Sequence, residues 1–279
     1  MSAAGESGVL TERSSRIIAA HRLLRRSRRA QAGEFLADGA QAVREAVAAE
    51  RESPGRVREV YLTEAAASRN VEIVRAAFAA GIAVTQVTEK AAAALSDAIT
   101  PQGLVARCAL PDDDPAALLA AGPRLLAVLV QAADPGNAGT VVRLADAAGA
   151  DGVILAGDAV DPWSTKAVRA SAGSIFHLPV VRAADPLALV SALSDAGLSV
   201  LATTGAADTD LDTAARDGIL ELPTAWVFGS EAHGLPDEVI AAADAAIRVP
   251  IHGRAESLNL ATAAAICLYA SAAVHRRGR

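Results

Sequence analysis

The 279-residue chain is poor in several residue types, and each shortage excludes a class of protein. Its two cysteines, Cys108 and Cys267, are too few to form a disulfide framework or to supply all four ligands of a zinc site. Its two lysines, Lys90 and Lys166, do not follow a glycine, so the chain lacks the Gly-Lys pair of a phosphate-binding P-loop. The five histidines are scattered without the spacing of metal ligands, and we therefore expect no metal site.

Long apolar runs and targeting patterns are also missing. The longest apolar stretches fall short of the roughly 20 residues that a membrane span needs. The first residues lack the basic region and apolar core of a signal peptide, so we expect a cytoplasmic protein that does not enter a membrane. No Gly-x-Gly-x-x-Gly follows the apolar run Leu125–Val130, and no Gly-x-Ser-x-Gly occurs. These absences argue against a common dinucleotide-binding site and against a hydrolase nucleophile.

Charge is distributed unevenly along the chain. The net charge of −6 comes from 26 Lys+Arg and 32 Asp+Glu, and it argues against a globally basic nucleic-acid binder. Seven arginines nevertheless lie between Thr11 and Ala30, where Glu12 is the single acid. Arginine forks suit phosphate oxygens, so this cluster favours local phosphate contact, although charged chain ends are also common as solvated surface.

The hydropathy pattern divides the chain into two unequal halves. Residues 1–12 lack periodicity and are predicted to be disordered, and residues 13–110 have the pattern of a small α/β unit. A proline-bracketed acidic stretch predicts a linker over residues 111–122. From residue 123 to residue 279, strand-like runs alternate with helical patterns, which predicts a parallel sheet covered by helices on both faces. Ligands of such sheets bind beyond the carboxyl ends of the strands.

The first cluster of polar residues follows the predicted strand Leu125–Val130. Asn137 is predicted to cap the next helix, which is predicted to end at Gly149. Arg143 lies about one and a half turns beyond Asn137, from where its side chain could return to the strand ends. The alternative is a plain turn followed by an exposed arginine.

Two further polar clusters follow later strands. Glu231 lies at the tip of a loop with two glycines, which permit positive φ and a close approach of backbone to a planar ligand; an exposed turn glutamate is the alternative. Ser257 is a natural N-cap for the closing helix, which is predicted over Leu258–Val274. Asn259 stands on this otherwise apolar helix, where a buried asparagine would need a hydrogen-bond partner or a ligand.

These three segments, in this order, resemble the motifs of the SpoU (TrmH-like) family of RNA ribose 2′-O-methyltransferases, which belongs to the SPOUT superfamily. The matching residues are Asn137, Gly139 and Arg143, then Gly229-Ser230-Glu231-Ala232-His233-Gly234-Leu235, then Pro250-Ile251 with Ser257-Leu258-Asn259-Leu260. The first half resembles the ribosomal-protein-like substrate-binding domain of the family, with Asp38 where the family usually has glutamate. The resemblance covers nearly the whole chain after residue 13.

The resemblance implies both a fold and a reaction. The second half would form an α/β methyltransferase domain with a trefoil-knotted parallel sheet, and the first half a small α/β domain that binds RNA. The cofactor would be S-adenosylmethionine, whose activated methyl group is attacked by a ribose 2′-OH without the help of a metal. The site would form at a homodimer interface, which suits the apolar face of the closing helix.

The resemblance also carries roles to particular residues. The implied catalytic residues are Asn137, Arg143, Glu231, Ser257 and Asn259. The implied cofactor-binding residues are Thr203, Thr204, Gly205, Phe228, Gly229, Ile251 and Leu258. The arginines expected to bind RNA are Arg22, Arg25, Arg26, Arg28 and Arg29. Because a guanidinium stays protonated, we expect Arg143 to clamp a phosphate and stabilise charge on the attacking oxygen, not to act as a base.

Three functions remain open from the sequence. We favour an RNA 2′-O-methyltransferase that acts on 23S ribosomal RNA, because family members with this N-terminal unit often act there, and a transfer-RNA substrate is the alternative. A related knotted enzyme that methylates a base is the enzymatic rival. The third candidate is a non-catalytic RNA-binding factor of ribosome assembly that has kept the fold.

Overall fold

The computed structural model describes residues 8–112 and 114–277, apart from the side chain of Arg277. The chain divides into two compact units. Unit 1 consists of the residues up to Pro111 together with Trp163–Phe176. Unit 2 consists of Asp112–Pro162 together with His177–Arg279.

The described residues form alternating strands and helices, in agreement with the predicted α/β class. The strands are β1 Glu34–Asp38, β2 Val57–Leu62, β3 Val84–Gln86, β4 Leu104–Ala109, β5 Leu125–Val130, β6 Gly152–Ala156, β7 Val180–Ala183, β8 Ser199–Thr203, β9 Thr209–Asp210, β10 Thr224–Phe228 and β11 Ala245–Arg248. The helices are α1 Ser15–His21, α2 Arg26–Ala32, α3 Ala40–Glu52, α4 Glu64–Arg69, α5 Val71–Ala79, α6 Glu89–Ala94, α7 Pro115–Ala120, α8 Pro135–Ala148, α9 Thr165–Ala170, α10 Pro186–Asp195, α11 Leu211–Arg216, α12 Asp237–Ala242 and α13 Leu260–Arg277. Within the described ranges, no helix combines the length and the apolar character needed to cross a lipid bilayer.

Unit 1 is built on a four-stranded mixed sheet in the order β1-β4-β2-β3. Strand β4 runs antiparallel to β1 and β2, and β2 runs parallel to β3. The hydropathy pattern does not reveal β1, because its apolar core, Phe35–Ala37, is only three residues long and is flanked by acids. A short 3₁₀ turn at Arg22–Leu24 separates α1 from α2.

Part of the N-terminal stretch that we predict to be disordered is fixed in unit 1. Residues 1–7 of that stretch lie outside the described residues. Leu10, in contrast, is only 5% exposed and pairs with Val87 beside β3. Its N–H donates to the Gln86 carbonyl at 3.0 Å, and its own carbonyl accepts a hydrogen bond from the Thr88 N–H at 2.9 Å. The chain is therefore held in place at Leu10, inside the stretch predicted to be disordered, which corrects the prediction at that end.

The segment Trp163–Phe176 belongs to unit 1, although it lies within the predicted second half, residues 123–279. The ring of Phe35 packs against that of Trp163, with centroids 4.9 Å apart. The guanidinium of Arg169 pairs with the buried carboxylate of Asp38 at 2.9 Å. Helix α9 and its flanks therefore contribute to the hydrophobic and ionic interactions of this unit. The hydropathy pattern does not reveal that a segment from the second half of the sequence packs in unit 1.

Unit 2 contains a seven-stranded sheet in the order β7-β6-β5-β10-β8-β11-β9. All neighbouring strands are parallel, so the prediction of a parallel sheet is confirmed. Every residue of β5 and β10 is buried, as expected for central strands covered on both faces. The carboxyl ends of these two adjacent strands lie side by side and lead into the loops that carry the polar clusters.

Helix α8 begins earlier than the sequence predicts. Asp134 is its N-cap, with Oδ1 accepting a hydrogen bond from the Asn137 N–H at 2.8 Å. Asn137 therefore lies inside the first turn, and the prediction that it caps the helix is wrong. Its side chain is free to interact elsewhere. Gly149 ends the helix in a left-handed conformation with φ of 75°, as predicted.

Helix α13 begins later than predicted, at Leu260. The Asn259 side-chain oxygen accepts hydrogen bonds from the N–H groups of Ala261 at 2.9 Å and Thr262 at 3.4 Å. Asn259 thus satisfies two of the free amides of the first turn, and the prediction that Ser257 caps the helix is wrong.

Trp226 on β10 links the centre of the sheet to α13, and its loss should be costly. The indole ring is fully buried and its Nε1–H donates to the buried Ser271 hydroxyl at 2.9 Å. We expect Trp226→Phe to lower the free energy of unfolding by about 2–4 kcal/mol, because it leaves space and an unpaired buried hydroxyl. Urea unfolding followed by circular dichroism measures this loss. Leu222→Ala, at a 55% exposed residue, is the control, and an equally small loss in both variants would contradict the prediction.

Candidate active site

Three of the predicted catalytic residues meet at the carboxyl edge of the unit 2 sheet. Glu231, in the loop after β10, accepts a hydrogen bond at Oε1 from Asn137 Nδ2 at 2.7 Å. Its Oε2 accepts one from the Ala133 N–H at 3.3 Å. The side-chain oxygen of Asn137, Oδ1, in turn accepts a hydrogen bond from Asn259 Nδ2 at 3.1 Å. We call Glu231, Asn137 and Asn259 the polar triad.

The surroundings of Glu231 keep it ionised. Partial burial acts to raise the pKa of the carboxyl, but hydrogen bonds from the Asn137 amide and from the backbone N–H groups of Glu231, Ala133 and Asp134 outweigh it. The net effect is a pKa below the ordinary value of 4.5. Glu231 is therefore a hydrogen-bond acceptor at neutral pH.

The position of Asn259 differs from the one expected. We predict a buried asparagine, whereas the residue is exposed at the N-terminus of α13. Its side-chain oxygen caps the helix and its side-chain nitrogen reaches Asn137. The polar residue on an apolar helix does mark a hydrogen-bond network, but one at the helix end and at the surface of the chain.

The other two predicted catalytic residues are not part of this network. Arg143 is exposed on α8, and it makes no hydrogen bond or ion pair within the part of the chain that the structure describes. It lies six positions after Asn137, which places the two side chains about 120° apart around the helix. Ser257 is also exposed, in the loop that precedes α13, and it makes no hydrogen bond to the polar triad within the described residues.

A cleft of about 440 Å³ opens beside the polar triad. Its walls are the loops that follow β8, β10 and β11. All seven predicted cofactor-binding residues line it, namely Thr203, Thr204, Gly205, Phe228, Gly229, Ile251 and Leu258. Glu231 and Ser257 line it as well. The structure therefore brings together residues from three separate sequence segments.

Sequence reasoning missed some of the residues that line the cleft. Asp237 and Ile240 of α12 and Ala263 of α13 are among them. Their sequence neighbourhoods have ordinary helical patterns, so no local signal identifies them. Among the residues that the structure describes, no group of three or more His, Cys, Asp or Glu side chains is arranged to hold a metal ion.

Gly229 allows the loop after β10 to fold tightly against itself. A Cβ atom at Gly229 would lie 2.1 Å from the backbone carbon of Gly234, a distance that no side chain can occupy. Ser230 and Gly234 exchange backbone hydrogen bonds at 3.0 and 2.9 Å. This closed loop holds Glu231 at its tip, which explains why the motif needs glycine at its first position.

Four of the five N-terminal arginines predicted to bind RNA are exposed in unit 1. They are Arg22, Arg25, Arg26 and Arg28. Arg29 is different, because it is only 4% exposed and its guanidinium donates to the Leu23 carbonyl at 2.7 Å. The structure therefore corrects the prediction for Arg29, which anchors α2 to the preceding turn.

Comparison with known protein families gives two matches that together span most of the chain. The family model described as SpoU rRNA Methylase family matches residues 124–269. A second model, described as MRM3-like substrate binding domain, matches residues 14–106. The first match contains the polar triad and the cleft, and the second contains the exposed arginines.

Similar proteins of known name extend these matches. A 23S rRNA (guanosine(2553)-2′-O)-methyltransferase, RlmP, from Bacillus subtilis is 34% identical over 90% of this chain and 91% of its own length. A 23S rRNA (uridine(2479)-2′-O)-methyltransferase from Streptomyces viridochromogenes is 32% identical over 91% of this chain and 88% of its own length. The crystal structure of an AdoMet-bound rRNA methyltransferase from Sinorhizobium meliloti superposes with a TM-score of 0.78 at 30% identity, covering 97% of this chain and 98% of that one.

The low pKa of Glu231 predicts a pH-dependent contribution to stability. Because the pKa is lower in the folded than in the unfolded chain, the ionised carboxylate stabilises the fold above about pH 4.5, and this contribution is lost as the pH falls below that value. We expect wild type to lose more stability than Glu231→Gln on acidification, as measured by urea unfolding at neutral pH and below pH 4.5. Glu238→Gln, at an exposed residue of α12, is the matched control and should follow wild type. Equal losses in wild type and Glu231→Gln would refute the prediction.

Proposed function

This chain belongs to the SpoU rRNA methylase family, and we propose that it transfers a methyl group from S-adenosylmethionine to a ribose 2′-OH of 23S ribosomal RNA. The observation that carries the proposal is the polar triad at the edge of a cleft lined by every residue predicted to bind the cofactor. Two relatives that match about nine tenths of the chain are named 23S rRNA 2′-O-methyltransferases, and a similar structure is AdoMet-bound.

The cleft fits a cofactor of this kind. Its volume of about 440 Å³ lies within the range of small-molecule sites, and it opens at the carboxyl ends of parallel strands. The loops at Thr203–Gly205, Phe228–Gly229 and Ile251–Leu258 would hold the cofactor. When bound, S-adenosylmethionine supplies a methyl group on a sulfonium that needs no further activation. We also propose that these loops form the trefoil knot implied by the family resemblance.

The chain must then orient the 2′-OH and accommodate its proton. Ionised Glu231 and the amides of Asn137 and Asn259 offer acceptors and donors that can fix a ribose, and Ser257 adds a hydroxyl at the cleft. Arg143 would clamp a neighbouring phosphate and stabilise the developing charge on the oxygen. Its lack of a partner within the described chain supports this role, because the guanidinium remains available to the substrate.

A homodimer would complete this site. Helix α13 presents an exposed stripe at helical spacing, formed by Thr262, Ile266, Tyr269 and Ala273. Ile266 is 38% exposed and Tyr269 is 50% exposed, which is unfavourable for apolar side chains in water. The same helix packs against α8, which carries Arg143. A second copy covering this stripe would bury it next to the helix of the proposed catalytic arginine.

Charge supports an RNA-binding role for unit 1. Its residues include 17 Lys+Arg and 12 Asp+Glu, a net charge of +5, whereas unit 2 has a net charge of −11. The positive unit contains the four exposed arginines Arg22, Arg25, Arg26 and Arg28, which we propose as phosphate contacts. Ribosomal RNA as substrate agrees with the cytoplasmic location expected from the sequence.

The function and the role of Arg143 can be tested together. We expect wild type to add 2′-O-methyl groups to 23S rRNA that lacks them, as shown by mapping of alkali-resistant linkages. Arg143→Ala should lower kcat at least about 100-fold, because it removes transition-state stabilisation. Calorimetry should give the same Kd for S-adenosylmethionine, because Arg143 does not line the cleft.

Arg216→Ala, at an exposed arginine of α11, is the matched control and should retain wild-type turnover. Near-normal kcat in Arg143→Ala would overturn the role of that residue. Failure of wild type to bind S-adenosylmethionine would overturn the enzymatic function.

Tyr269→Asp tests the proposed dimer interface. A charge in the centre of the exposed stripe of α13 should prevent burial of that stripe, so the variant should be a monomer while wild type is a dimer in light-scattering measurements. Phe78→Asp, which changes a 64% exposed aromatic of α5, is the control and should leave the dimer intact. A monomeric wild type would contradict the proposal.

A further inference from the structure

Two residues other than glycine have left-handed backbone conformations among those the structure describes. They are Gln131, with φ of 53°, and Ala172, with φ of 50°. Glycine adopts this conformation without strain, whereas a residue with a Cβ atom does not. Strain of this kind persists only where the surrounding structure enforces it, and it is common at functional sites.

Gln131 begins the loop that leads from β5 to the candidate site. It is the first residue after β5, and its N–H donates to the Ala156 carbonyl at 3.0 Å, which continues the sheet by one bond. Two residues later, the Ala133 N–H donates to Glu231 Oε2. The left-handed turn at Gln131 therefore directs the chain from the buried strand into the loop that holds the Glu231 carboxylate.

The side chain of Gln131 is not needed for this turn. A glycine at the same position would make the turn without strain. The stem of the side chain packs near Gly157, where an added Cβ would lie 3.4 Å from Gln131 Cγ. The residue is nevertheless exposed, and its carboxamide makes no hydrogen bond within the described part of the chain. A strained backbone thus presents an exposed amide, without a partner among the described residues, at the start of the loop that contacts Glu231.

We propose that the Gln131 carboxamide hydrogen-bonds the base of the RNA nucleotide that enters the site, and so helps to select it. This inference rests on the proposed function. A carboxamide offers both a donor and an acceptor, which matches the edge of a base, whereas a phosphate offers acceptors only. The Cα atom of Gln131 lies within about 7 Å of that of Ala133, because only two peptide units separate them. Gln131 therefore stands two residues from a backbone group that contacts the Glu231 carboxylate.

Gln131→Gly separates a substrate role from a structural one. The variant removes the amide and at the same time relieves the strain, so its Tm should equal or exceed that of wild type. If the amide contacts RNA, KM for a 23S rRNA fragment should rise about tenfold, while the Kd for S-adenosylmethionine stays unchanged. Gln131→Glu, which keeps the shape but loses the donor, should raise KM as well. A purely structural role predicts a higher Tm and an unchanged KM.

Ala172→Gly is the matched control for strain relief. It removes the same kind of backbone strain in unit 1, so it should raise Tm without changing KM for RNA. Equal KM values for wild type and Gln131→Gly, with wild-type methylation intact, would refute the role of Gln131 alone. Absence of methylation and of RNA binding in wild type would refute the proposed function itself, and this inference with it.

Discussion

The candidate site depends on how the Glu231 carboxylate is held. The Asn137 amide and the Ala133 N–H converge on it from the segment after β5, while Glu231 itself follows β10. Asn137 and Glu231 are 94 positions apart in sequence. They meet because β5 and β10 are parallel neighbours, so that the loops leaving their carboxyl ends start side by side. The strand order of unit 2 is thus the first requirement for the site.

The charge of Glu231 then sets the orientation of the other two members of the polar triad. An ionised carboxylate only accepts hydrogen bonds, so the NH₂ group of Asn137 must face it and the Asn137 oxygen must face away. The Asn137 oxygen needs a hydrogen-bond donor, and the donor of the Asn259 side chain is its NH₂ group. The Asn259 oxygen then remains to cap α13. The ionised state of Glu231 therefore has a structural consequence beyond its own site, because it defines one arrangement of amides as far as the first turn of the closing helix.

Sequence patterns predict the parallel sheet of unit 2 and the members of the polar triad. They do not predict which residue caps each of the two helices. Asp134 and Asn137 are both competent helix caps, and so are Ser257 and Asn259. Which residue becomes the cap depends on where the chain leaves the preceding strand. For Asp134 and Asn137, this path follows from the left-handed turn at Gln131.

Burial is harder still to predict for single residues and short segments. Arg29 resembles its exposed neighbours in sequence, yet it is buried because its face of α2 meets the Leu23 carbonyl. Membership of Trp163–Phe176 in unit 1 likewise depends on packing against Phe35, a contact between residues distant in sequence.

The polar triad contains no cationic side chain, and Arg143 points about 120° away from Asn137 around α8. In our proposal a second copy, packed on the exposed stripe of α13 beside α8, closes that separation. The dimer and the catalytic role of Arg143 are therefore one hypothesis, because within a single chain the described structure shows no contact between Arg143 and the polar triad.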